Sequence, residues 1–157
     1  FKEGDVLFAK ITPCMQNGKA AIASGLIEGI GFGSTEFHVL RAGRVVTPEF
    51  LFAIVRLQSF RNQAISTFTG TVGQQRVPAE FLKQYRLPVP PKAEVLKFSR
   101  LLREIISTQI ELEATAYKLD SQFSLLLQRA FSGQLTAKWR KAHSNELLAE
   151  MEQQARL

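Results

Sequence analysis

The sequence predicts an α+β fold: a small mixed α/β domain followed by a long coiled-coil-forming helix. Two observations lead there. The first 91 residues hold short apolar runs punctuated by Gly, Pro and Asn, the pattern of strands and short helices joined by turns. Beyond the prolines at 88, 90 and 91, a heptad pattern runs without a break from Phe98 to Ala130. Three segments follow: 1–91, compact and α/β; 92–133, the long helix; 134–157, a basic tail with a short helix.

Taken in order, residues 5–11 read as a buried strand, ended by Thr12 and Pro13. Asn17-Gly18 is a tight-turn signal, and residues 19–23 form the returning strand. Residues 36–40 give a third strand, entered from a glycine-rich stretch at 29–33. Thr47, Pro48 and Glu49 start a helix: a capping hydroxyl, a proline in the first turn, then an acid near the positive end of the dipole. Phe50, Leu51, Ile54, Val55 and Leu57 give it an apolar face. Residues 67–76 are polar and glycine-bearing, hence a loop, and 78–83 suit a short helix. Residues 85–89 are expected to form an edge strand closed by the prolines. Strand chemistry begins almost at Phe1, so an earlier portion of the domain is expected to precede it.

In the long helix the seam is Phe98, Leu102, Ile105, Gln109, Leu112, Ala116, Leu119, Phe123, Leu126 and Ala130, spaced alternately by four and three. At 1.5 Å per residue it spans roughly 50 Å. Leaving its large apolar side chains in water would forgo about 10–20 kcal/mol, at about 1.5–3 kcal/mol for each fully buried side chain. A partner helix is therefore implied. Leu101, Ile106 and Ile110 beside the seam point to packing of its start on the globular part. Ser132 and Gly133 end it, and a weaker helix follows Asn145.

Twenty Lys and Arg face fourteen Asp and Glu, a net charge of +6, which favours an anionic partner. Residues 1–91 carry ten basic against six acidic side chains, so most of the excess lies in the globular part. Cys14, the single cysteine, excludes an intrachain disulfide and a cysteine-rich zinc site. No run approaches the roughly 20 apolar residues of a membrane span. The two aspartates, Asp5 and Asp120, are far apart, which argues against a metal-dependent nuclease. His38 reads as a hydrogen-bonded structural residue. The stretch 29–33 lacks the spacing of a nucleotide-binding loop and reads as a turn. No metal site, cofactor site or catalytic residue is expected.

Two polar, basic loops remain as candidate sites. The first holds Lys10, Thr12, Gln16, Asn17 and Lys19; the second holds Thr69, Thr71, Gln74, Gln75 and Arg76. Gln, Asn and Arg pair with base edges, while Thr, Lys and backbone N–H groups suit phosphates. Both could equally be ordinary solvated turns.

The same residues carry a family likeness. Residues 4–13 (GDVLFAKITP) with NGK at 17–19 resemble the later part of a target-recognition domain of type I restriction-modification specificity subunits. The TGTVGQQRV at 69–77 is similar to that family's glycine-threonine loop, and LPVPP at 87–91 to its exit into the spacer helix. The AFSGQLT at 130–136, with Trp139, resembles its terminal signature. One departure stands out: Val95 follows Glu94 where the family commonly has Gln.

The resemblance implies a non-catalytic, cytoplasmic DNA reader without cofactors of its own. Its partners would be double-stranded DNA, DNA methyltransferase subunits and restriction motor-nuclease subunits. A full subunit has two recognition domains held apart by two antiparallel spacer helices. This chain would supply one domain and one spacer helix, and Phe98, Leu102, Ile105, Gln109, Leu112, Leu119, Phe123 and Leu126 would pair with a second spacer helix, in cis or by homodimerisation. The alternatives are a specificity module of a single-chain restriction-methylation enzyme and a helical interaction protein that reads no DNA.

Overall fold

The computed structural model describes residues 1–71 and 73–155. Val72 of the second loop and the last two residues of the tail lie outside the described residues. The chain forms two compact units, Phe1–Ile106 and Ser107–Leu157. The fold is α+β, as the sequence predicts.

In the first unit, β1 (Val6–Ala9) lies between β2 (Ala20–Ile22) and β3 (Phe37–Leu40), both antiparallel to it. Val6 faces Ile22 and Leu40, and Phe8 faces Ala20 and His38. Alternation along β1 sends Val6 and Phe8 into the core. There they meet Met15, Phe52, Val55, Phe60, Ala64 and Val77.

The helix α1 (Pro48–Arg56) starts as the sequence predicts, with the Phe50 N–H donating to Thr47 Oγ1 at 3.2 Å. Its buried face holds Phe50, Phe52 and Val55, while Leu57 is exposed and sits at the break before α2 (Gln58–Ile65). Phe60 of α2 gathers an aromatic cluster, with Phe8, Phe81 and Tyr85 at ring-centroid distances of 5.6, 5.4 and 4.8 Å. Such edge-on and tilted contacts add to the apolar burial. Phe81 belongs to α3 (Ala79–Gln84), the expected short helix.

Two expectations change. Residues 85–89 form no strand. Prolines at 88, 90 and 91 remove the N–H donors a ladder needs, and Tyr85 packs on Phe60 and Phe81 instead. Asn17-Gly18 does not join β1 to β2 directly. The connection coils through 10–19: Met15 N–H donates to the Ile11 carbonyl at 2.9 Å and Asn17 N–H to the Pro13 carbonyl at 3.0 Å. Gly18, at φ 67°, closes a turn back to Met15, whose fully buried side chain anchors the coil.

The glycine-rich stretch is a seat for aromatic rings. Phe1 and Phe37 meet edge to face at 5.9 Å, and a Cβ on Gly33 would stand 2.8 Å from the Phe37 ring. Only glycine leaves that space.

The helix α4 (Lys92–Phe131) has 40 residues. Within the first unit, Val95 and Ser99 are buried, and Leu102 and Ile106 pack against the core. Ser99 and Thr47 share a hydroxyl hydrogen bond of 2.5 Å, Phe98 meets Phe50 edge to face at 6.0 Å, and Arg103 pairs with Glu49 at 3.3 Å. Val95, the departure from the family pattern, is one of the side chains that seat the helix.

In the second unit α4 continues from Ser107. Leu112, Leu119 and Phe123 are 65%, 61% and 60% exposed, so this part of the apolar seam has no cover among the described residues, and Ile110 beside it is 61% exposed as well. Gly133, at φ 73°, ends the helix with the Leu135 N–H donating to the Arg129 carbonyl at 3.2 Å. Two further helices follow, α5 (Ala137–Ala142) and α6 (Ser144–Gln154). The second is the expected weak helix; the first carries too few apolar residues to show a pattern.

Candidate nucleic-acid interface

The two loops lie far apart in sequence, yet the backbone joins them. Thr12 N–H donates to the Gln75 carbonyl at 2.9 Å, and Gln75 N–H returns to Thr12 Oγ1 at 3.1 Å. Ile11 bridges Arg76, and Val77 N–H donates to the Lys10 carbonyl at 2.9 Å. A segment leaving β1 and one leaving the second loop thus run antiparallel beyond the end of the central strand.

The second loop is closed on itself. Thr69 and Arg76 exchange backbone hydrogen bonds of 3.1 and 2.9 Å, and Gln74 N–H donates to the Thr71 carbonyl at 3.0 Å. Gly70 stands at φ 110°, and a Cβ there would lie 3.0 Å from the Gln74 carbonyl oxygen. That position suits glycine on both counts.

Arg76 lies at the centre of the join. Its Nε and Nη2 donate to the Glu36 carboxylate at 2.9 and 2.8 Å, and its Nη1 to the Gln74 carbonyl at 2.9 Å. The guanidinium holds the Glu36 carboxyl below the usual carboxylate range, outweighing desolvation. All three nitrogens of Arg76 therefore already hold partners inside the protein.

The candidate residues divide by what their side chains are left to do. Lys10, Thr12, Gln75 and Arg76 are half-buried in the join. Gln16, Asn17, Lys19, Thr69, Thr71 and Gln74 are exposed. The exposed set carries amides, hydroxyls and one ammonium, groups that donate to or accept from bases and phosphates.

Two side chains outside the candidate list build this surface. Glu36 is one. Arg61 of α2 is the other: its Nη1 donates to the Gln16 carbonyl at 2.7 Å, and Gly18 leaves room for it, a Cβ there coming within 3.1 Å. Both partnerships span about forty residues of chain, so no local pattern marks them.

His38 is structural, as the sequence reading has it. The Val77 carbonyl, an acceptor only, takes a hydrogen bond from His38 Nε2 at 2.8 Å. Among the described residues, no cluster of three His, Cys, Asp or Glu could hold a metal ion, and no helix is long and apolar enough to cross a membrane.

The chain is 40% identical over 107 residues to the type I restriction enzyme EcoAI specificity subunit of Escherichia coli. It is 37% identical over 107 residues to the EcoEI specificity subunit of the same organism. Each match covers 65% of this chain, and the chain spans 18% of the relative's length. No family model matches, and no solved structure matches. At 37–40% identity over 107 residues, the chain is similar to a stretch amounting to about a fifth of these type I restriction enzyme specificity subunits.

Proposed function

We propose that the chain reads double-stranded DNA through its two joined loops, as the recognition portion of a type I specificity subunit with no catalysis of its own. The observation that carries this is the join. Thr12, Gln75 and Arg76 lock the loops together and leave Gln16, Asn17, Lys19, Thr69, Thr71 and Gln74 exposed. Locking matters because a base-reading side chain must be held before it meets the DNA, or ordering it consumes the binding energy. The basic excess of the globular part supports the same reading through attraction to phosphates.

On this reading DNA methyltransferase and restriction motor-nuclease subunits are the protein partners, and the complex works in the cytoplasm. The uncovered seam from Ile105 through Gln109, Leu112, Leu119, Phe123 and Leu126 pairs with a second spacer helix, in cis or in a homodimer. Phe98 and Leu102, at the start of the seam, already contact the globular unit.

The test is a titration of labelled duplex DNA with the full chain at several salt concentrations. For about six phosphate contacts, affinity should fall about a thousandfold between 50 and 200 mM salt. An interaction module that reads no DNA gives no binding even at low salt, and that result would reject the proposal.

A further inference from the structure

Arg61 does more than brace the Gln16 carbonyl. Its Nη2 donates to Gln58 Oε1 at 2.7 Å, and Gln58 Nε2 donates in turn to Asn62 Oδ1 at 2.7 Å. All of these groups lie in the first unit, where α2 meets the tip of the first loop.

The chain has a direction. A guanidinium can only donate, so the Gln58 oxygen must face Arg61. The Gln58 nitrogen then faces Asn62, and the Asn62 oxygen must accept. That leaves Nδ2 of the exposed Asn62 with two hydrogens to donate and Oδ1 with a second lone pair to accept. A carboxamide on a surface ordinarily rotates and flips freely. This one has its donor and acceptor ends assigned by a cation two residues back in the network, and charge-assisted bonds of this kind are the strong ones. Gln58 and Asn62 are both exposed, so the oriented amide faces solvent.

We infer that Asn62 is a base-reading residue, oriented by Arg61 through Gln58, and that α2 extends the reading surface of the first loop. The inference rests on the DNA-reading proposal above. An amide presenting one donor and one acceptor together matches adenine in the major groove, giving to N7 and taking from the N6 amino group. The ligand is therefore duplex DNA with an adenine at the position Asn62 faces. Arg61 and Gln58 are positioning residues and touch no base.

The experiment is selection from a randomised duplex pool by the full chain, with sequencing of what is retained, for the wild type, Asn62→Ala, Gln58→Ala and the double variant. Both side chains are exposed, so neither change empties the core, and thermal melting of each variant checks the fold. The wild type should retain a motif containing adenine. Asn62→Ala should lose the preference at one adenine by about tenfold or more, with the other positions unchanged. Gln58→Ala should weaken the same position less, because its amide orients and does not read. The double variant should be no worse than Asn62→Ala alone. If the wild type selects a motif and Asn62→Ala selects the same motif with the same preference, Asn62 reads nothing and the inference fails while DNA reading stands. If Gln58→Ala relaxes a different position, the orienting chain is wrong. If the wild type selects no motif, the DNA-reading proposal fails and takes the inference with it.

Discussion

Asp5 is 1% exposed, yet it carries its charge. Arg41 donates to it from Nε and Nη2 at 2.7 Å each, and the Lys2 N–H adds a third bond at 2.7 Å. Arg41 leads in holding the carboxyl low, at about 2, against a burial effect that raises it. The folded value lies below the unfolded one, so the stabilisation is complete above about pH 4, the unfolded carboxylate range, and disappears as pH falls towards the folded value. Glu36, lowered by Arg76, loses its contribution in the same direction. Thermal melting should therefore show a falling midpoint from about pH 4 downwards. Asp5→Asn should flatten that dependence and cost about 1–3 kcal/mol at neutral pH, since it leaves Arg41 and the Lys2 N–H poorly satisfied. A variant whose midpoint tracks the wild type at every pH would remove Asp5 from the account. Arg76 gives a second prediction. Its nitrogens are held by Glu36 and the Gln74 carbonyl, so Arg76→Ala should loosen the second loop. Binding to a selected duplex should weaken more than binding to a scrambled one, because the loosened loop no longer holds Thr71 and Gln74 in place, with competition assays at fixed salt as the measurement. Relaxed choice at a single base would instead mean that Arg76 leaves Glu36 to read it.

Elements announced by local chemistry were legible in the sequence. The cap Thr47 and the proline at 48 mark the start of α1, and the apolar run at 5–11 marks β1, whose inner face at Val6 and Phe8 the structure adds. The unbroken heptad marks α4, whose end at Gly133 is equally clear. Helix α2 was not legible: it has no side-chain cap, and only Phe60 and Ala64 are buried in it. The strand expected at 85–89 failed because apolar residues between prolines look extended whether or not a neighbour pairs with them. Both candidate loops could be read from composition, but the join between them could not. Glu36 with Arg76 and Arg61 with Gln16 are meetings of tertiary origin, forty and forty-five residues apart. The helix also carries the third prediction. Leu119 is 61% exposed at the middle of the uncovered seam. Leu119→Asp should abolish pairing of the helix, because a buried carboxylate without a partner is strongly unfavourable. The unit Phe1–Ile106 should keep its fold. Sedimentation and circular dichroism of both forms read the outcome: a wild-type chain that neither self-associates nor binds a partner subunit would contradict the pairing.

Across the whole chain the two tasks are divided by sequence. Residues before the prolines hold the proposed reading surface and most of the positive excess; residues after Ser107 hold most of the uncovered apolar seam. Charge can bring DNA to the first of these without choosing among sequences, because phosphate contacts are blind to the bases. On the proposed reading, choice comes from exposed amides and hydroxyls, chiefly those of the joined loops. The central claim is that those loops form one reading surface, and one measurement tests it. The full chain and the variant carrying Gln16→Ala, Asn17→Ala, Thr71→Ala and Gln74→Ala are titrated with a duplex selected by the wild type and with a scrambled duplex, at one salt concentration. All four side chains are exposed, so the melting temperature should stay close to that of the wild type. The account predicts that the ratio of the two affinities falls about a hundredfold or more, while binding to the scrambled duplex changes little. An unchanged ratio in a folded variant would contradict it, because the surface that chooses the sequence would then lie elsewhere.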